Sequence, residues 1–86
     1  MRVMSAIDHL LRLSDSYRGA TGIGQSALSW RMFGDTKKLR ALREGADIQV
    51  KRLEKTLQWF SDNWPDGAEW PADVPRPPPA TSEAAA

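Results

Sequence analysis

An all-α fold of four helices is what this chain predicts, on three observations. Apolar residues recur three and four positions apart, the period of a helix with one buried face. No stretch alternates apolar and polar residues with the period of two that a half-buried strand needs. Glycines fall between the periodic segments, and all six prolines lie in one run near the C-terminus.

The first helix is expected from about Ser5 to Arg18, capped by Ser5, with Ile7, Leu10, Leu11 and Tyr17 at helical spacing and Gly19 as its stop. Thr21-Gly22-Ile23-Gly24 is then a loop. A second helix spans about Gln25 to Phe33, with Leu28 and Met32 inward, Gln25, Ser26, Trp30 and Arg31 more exposed, and Gly34 as the terminator. Asp35 is placed to cap a third helix, Thr36 to Glu44, buried through Leu39 and Leu42 and closed by Gly45. Asp47 is placed to cap the last, Ile48 to Asn63. Its apolar stripe is Val50, Leu53, Leu57, Phe60 and Trp64, with Lys51, Arg52, Lys55 and Gln58 facing elsewhere.

Pro65 and Gly67 end that pattern, and the organisation expected is a domain over 1–65 followed by a Pro-rich, acidic, largely extended or disordered tail over 66–86. Trp64 and Trp70 are positioned to fold the first part of the tail back on the body. A core of about 65 residues buries only ~60% of its unfolded surface, so dimerisation would help it. The chain has no cysteine, which removes disulfides and thiolate metal sites as sources of stability. No apolar run approaches the ~20 residues of a membrane span. Met1-Arg2-Val3-Met4 leads into an amphipathic pattern and not a signal peptide, so a cytoplasmic, nucleoid-associated location without a membrane partner is expected.

The formal net charge of +1 hides a division. Residues 1–60 hold eleven lysines and arginines against six aspartates and glutamates, a net of +5, while residues 61–86 hold Arg76 against five carboxylates, a net of −4. Residues 26–56 alone carry eight cations and four anions. A basic body with an acidic end fits a nucleic-acid binder, although cationic helix faces also serve simply for solvation.

Catalytic and metal chemistry find little support. His9 is the single histidine, beside Asp8 on the first helix, and reads as a surface residue. No Gly-x-Ser-x-Gly elbow marks an activated serine, and no spacing suits zinc or calcium. Gly19, Gly22 and Gly24 follow no strand and precede no Lys-Ser/Thr pair, so they are loop glycines and not a phosphate cradle. Neither an enzyme nor a cofactor is expected.

A helix-turn-helix joins two short helices by a tight turn and lays the second in the DNA major groove. Two pairings exist: the first and second helices across the Gly22 loop, or the second and third across Gly34. The latter has the shorter turn and lets Leu28 and Met32 meet Leu39 and Leu42. It also turns Thr36, Lys37, Lys38, Arg40 and Ala41 outward as base readers, since Lys and Arg bond guanine, Thr a base or phosphate, and Ala meets a thymine methyl. Gln25, Ser26, Arg31 and Arg43 are the phosphate candidates. Leu57, Trp59, Phe60 and Trp64 are candidates for a dimer interface, against the plainer reading of a core face. Val74-Pro75-Arg76-Pro77-Pro78-Pro79 is either a polyproline ligand or a solvated terminus.

Gln25-Ser26-Ala27-Leu28-Ser29, with Met32, Gly34, Leu39, Leu42 and Gly45, resembles the lambda-repressor-like helix-turn-helix pattern. That pattern opens with Gln-x-x-(Leu/Val)-Ala, places a glycine at the turn and two apolar anchors three apart on the reading helix, and commonly closes with glycine. Ser29 stands for its alanine, and Phe33 precedes the turn glycine where the family often goes straight from the apolar residue to glycine. Phe33-Gly34-Asp35, Leu39 to Ile48 and Trp59 to Pro65 look more specifically like small regulators of alphaproteobacterial chromosomes and mobile elements. The resemblance implies a transcription regulator, usually dimeric, with Thr36 to Arg43 in the groove and Gln25 on a phosphate. The family's usual domain has five helices against the four found here, so its dimer contact is not carried over. The expectation is a sequence-specific regulator, a repressor, that binds double-stranded DNA as a homodimer, with a second regulatory protein as a further partner. The alternative is an adaptor or antitoxin of phage or mobile-element origin that holds a partner through the Trp-rich last helix and tail.

Overall fold

The computed structural model of the chain describes residues 6–78. They form four helices and, among the described residues, no strand: α1 Ala6–Thr21, α2 Gln25–Phe33, α3 Lys38–Arg43 and α4 Val50–Asn63. None of them is long and apolar enough to cross a membrane. Ser5 and residues 79–86, on which a cap and the end of the tail were expected, lie outside the described residues.

The α1 helix runs through Gly19, where a stop was expected, and ends two residues later, at Thr21. Gly19 costs helix stability relative to alanine but breaks no hydrogen bond. The stop is Gly22, whose φ of 76° takes the chain into the left-handed region, with its N–H bonded to the Arg18 carbonyl at 2.8 Å. The bounds of α2 agree with expectation, and Gly34 ends it in the left-handed conformation, donating to the Trp30 carbonyl at 2.8 Å.

The α3 helix is shorter than the expected Thr36 to Glu44. Asp35 does accept the backbone N–H of Lys37, at 2.8 Å, but it closes a turn over Thr36 and Lys37, and the helix proper begins at Lys38. At the other end the Ala46 N–H reaches the Ala41 carbonyl and the Gly45 N–H the Leu42 carbonyl, the paired bonds of a Schellman motif. The α4 helix likewise starts at Val50, two residues late, and its N-cap position is held by Gln49, with no side-chain cap bond, rather than by Asp47. It ends at Asn63, ahead of Pro65, which forces the preceding Trp64 into extended backbone, ψ 133°.

One core takes Leu10, Leu13 and Tyr17 from α1, Leu28 from α2, Leu39 and Leu42 from α3, Leu53 and Phe60 from α4, and Val74. Helix α2 packs on α3, and α1 meets all three others. Two assignments to buried faces need correction. Leu13, absent from the expected α1 stripe, is fully buried, and Val50, placed in the α4 seam, is 70% exposed. Val50 opens its helix beyond the point where any neighbour covers it.

The expected boundary at 65/66 does not divide the core. Residues 64–78 carry no helix, yet they wrap back over α1 and α4. Trp64 and Trp70 rings lie 4.7 Å apart, and their indole N–H groups donate to the Ala68 and Val74 carbonyls at 3.0 and 2.7 Å. Arg12 pairs with Asp73 at 2.8 Å. Arg76 lies over the Trp70 ring and donates to the Ser61 carbonyl at 3.0 Å, while Ser61 and Gln58 donate to the Pro77 and Pro78 carbonyls. The segment offered as a polyproline ligand is thus held along α4 as far as Pro78.

Truncating Val74, 4% exposed, to alanine should therefore lower stability by about 1–2 kcal/mol in urea unfolding. Val50→Ala should stay within about 0.5 kcal/mol of the parent. Equal effects at the two positions would contradict this packing.

Candidate nucleic-acid interface

The α2–α3 connection is built around one side chain. Ser29, fully buried on the inner face of α2, donates its hydroxyl to the Asp35 carbonyl at 2.5 Å and accepts the Leu39 N–H at 3.0 Å. A single hydroxyl thus satisfies one carbonyl of the turn and one amide near the start of α3, where helical partners are lacking. With Gly34 reversing the chain and Asp35 holding the Lys37 amide, these bonds set the angle at which α3 leaves α2. An alanine, which the resembled pattern has at this position, makes neither bond; the sequence signal is a hydroxyl on the inner side of a helix, which must find partners when buried.

Leu39 and Leu42 anchor α3 to the core and leave its other side exposed. Of the expected base readers, Thr36 and Lys37 lie in the turn ahead of the helix and are exposed, and Arg40 is exposed on the helix itself. Arg40 stands 3.6 Å from Glu44 in a pair that is about 70% exposed on both sides, a contact that solvent screens and another anion readily replaces. Lys38 and Ala41 are half-buried, and the Lys38 ammonium is turned to the Asp47 carbonyl at 3.3 Å. The set is therefore not one uniform face: Thr36, Lys37 and Arg40 are exposed, whereas Lys38 braces the loop into α4.

The phosphate candidates also separate. Arg43 donates to the Gln25 side chain and pairs with Asp15 at 2.5 Å, so both residues are occupied in tying α3 to α2 and α1. Ser26 and Arg31 remain exposed on α2.

Among the dimer candidates, Phe60 is fully buried and belongs to the core instead, because α4 turns it onto Tyr17. Trp59 and Trp64 are half-buried, each edge-on or tilted against Tyr17 with ring centres 5.5 and 6.1 Å away, and Leu57 is half-buried beside them. The aromatic surface of α4 is largely spent within the chain. Trp30, by contrast, is 60% exposed on the outer side of α2.

The backbones of α3 and α4 stay more than 8 Å apart, Cα to Cα. The cleft between them, about 510 Å³, is lined by Lys38, Asp47, Ile48, Gln49 and Arg52. Beside it, an open groove of about 600 Å³ runs between the end of α2 and α4, lined by Met32, Gln49, Lys51, Arg52, Lys55, Thr56 and Trp59. Arg52 borders both; its guanidinium bonds the Phe33 carbonyl at 2.9 Å and lies 5.5 Å from the Phe33 ring centre. Lys51, Arg52 and Lys55, expected to face away from the apolar seam, are spaced so that three cations fall within little more than one turn.

Among the described residues no group of three His, Asp or Glu gathers as a metal site. No family model matches the chain, and neither a curated protein nor a solved structure is significantly similar to it.

Ser29→Ala leaves the Leu39 amide and the Asp35 carbonyl without their partner and should cost about 1–3 kcal/mol in chemical denaturation. Stability unchanged in this variant would show that the hydroxyl does not hold the turn.

Proposed function

We infer that this chain is a sequence-specific DNA-binding regulator of the helix-turn-helix kind, a repressor without catalytic activity. Helix α2 supports and α3, with the turn before it, enters the major groove. The observation that carries the reading is the exposed side of α3 and its turn: Thr36, Lys37 and Arg40 project from a unit whose angle is set by Ser29, Gly34 and the two leucine anchors. Rigid presentation matters because a base contact tolerates little displacement, and a short helix of six residues, about 9 Å long, reads only through the few side chains it turns outward.

Two further observations support it. Residues 26–56, which contain α2 but for Gln25, all of α3 and most of the grooves beside them, hold eight of the twelve lysines and arginines. Carboxylates of the opposite end are used elsewhere: Asp73 meets Arg12 on α1, and Asp62 accepts the Gln58 amide on α4. The pairing of α2 with α3 is preferred over α1 with α2, because Gly34 makes the shorter connection and the Ser29 bonds cross it. A homodimer suits the short reading helix, since two copies double the base contacts on a two-fold site. The partner-holding alternative loses much of its proposed surface, because Phe60 is in the core, Trp59 and Trp64 lean on Tyr17, and the chain up to Pro78 is strapped to α4.

Selection of bound duplexes from a random library should return a preferred site at moderate salt. Arg40→Ala should weaken that site by about 1–3 kcal/mol and relax one base position. A library that yields no preference at low or moderate salt would remove the basis for the reading.

A further inference from the structure

We propose that the groove between the end of α2 and the first half of α4 seats the sugar–phosphate backbone beside the major groove that α3 reads, with Lys51, Arg52 and Lys55 on its phosphates. The proposal rests on the DNA-binding reading and adds to the residues that hold the backbone: of Gln25, Ser26, Arg31 and Arg43, to which the sequence points, Gln25 and Arg43 are bonded to each other and Arg43 also pairs with Asp15, while Ser26 and Arg31 stay exposed.

Three features single this groove out. No carboxylate side chain lines it, so its cations are not neutralised from within. Lys51 and Lys55 make no hydrogen bond or ion pair among the described residues, whereas Arg12, Arg40 and Arg43 each have a carboxylate partner. Arg52 is held in place by the Phe33 carbonyl and ring, which lowers the entropy lost when it meets an anion.

Like charges gathered without counter-ions repel one another, and an anionic polymer that releases condensed cations relieves this at a gain in entropy. Lys51 and Lys55 are about 6 Å apart along the helix axis, so a single compact anion does not meet both as readily as successive phosphates of a strand. Met32 and Trp59 give the groove an apolar part that suits sugar carbons. Arg52 also lines the α3–α4 cleft together with Lys38, which makes the cationic surface continuous with the proposed reading helix. That continuity favours the duplex over an acidic peptide as occupant.

The test compares the full chain with K51Q/K55Q on a selected duplex and on a scrambled duplex of equal length, titrated with salt. Both lysines are exposed, and circular dichroism and thermal unfolding verify that the variant keeps its fold. The slope of log K against log salt should shrink by about 1.8, from ~0.9 per lost phosphate contact. Affinity for both duplexes should fall by the same factor, leaving their ratio unchanged, and K51R/K55R should retain the parental slope.

A parental slope in K51Q/K55Q, with duplex binding intact, overturns the groove proposal and leaves the DNA reading standing. Poly-glutamate binding that is lost in K51Q/K55Q while duplex binding is not identifies an acidic protein as the occupant and likewise overturns it. A parent chain that holds neither duplex at low salt removes the DNA reading and this proposal together.

Discussion

The structure around the candidate interface depends on a buried hydroxyl that must be satisfied. Ser29 lies where α2 meets the α2–α3 turn, fully removed from water, and its oxygen takes part in two hydrogen bonds that no other group supplies. Leaving either the Asp35 carbonyl or the Leu39 amide bare would be costly, so the turn is confined to the geometry that brings both within reach. Hydrophobic anchoring by Leu39 and Leu42 places α3 against the core but does not by itself fix its angle, because burial is non-directional. Directional bonds at Ser29 add the angle. Gly34 makes the reversal possible, since its φ of 69° is one that a side chain rarely adopts.

Charge is distributed by the same packing. The ties from Arg43 to Asp15 and Gln25, and from Arg12 to Asp73, join helix to helix and helix to strap, and each removes a cation from the free set. Such exposed pairs add little to stability. Their consequence is spatial: of the described cations without a carboxylate partner, Lys37, Lys38, Lys51, Arg52 and Lys55 lie around α3, the α3–α4 cleft and the first half of α4, while Arg18, Arg31 and Arg76 lie elsewhere. A net charge of +1 therefore coexists with a basic side, which is the electrostatic property relevant to a polyanion.

A small chain without disulfides needs another source of stability, and here it is the aromatic cluster under the C-terminal strap. Phe60 sits among Tyr17, Trp59 and Trp64, Trp70 extends the row, and Val74 closes it. The prolines cost little entropy to order, and their carbonyls accept from Ser61 and Gln58. The strap thus occupies surface that a tryptophan-rich helix would otherwise expose.

The sequence by itself determined the number and kind of elements, both ends of α2 and the end of α4, because those are local matters. Period-three-and-four apolar spacing, Gly34 and Gly45 in left-handed positions and Pro65 after Trp64 act within a few residues. Leu28, Leu39, Leu42, Leu53 and Phe60 were legible as core for the same reason. What the tertiary structure decided depends on partners distant in sequence. The burial of Val74 needs the chain to return over α1 and α4, and the exposure of Val50 follows from having no neighbour across from it. Gln25 and Arg43 looked available until α1 supplied Asp15, and Lys51 and Lys55 looked ordinary until α2 closed one side of their groove. Periodicity says which side of a helix is apolar; only packing says which polar groups find each other and which are left to face a partner.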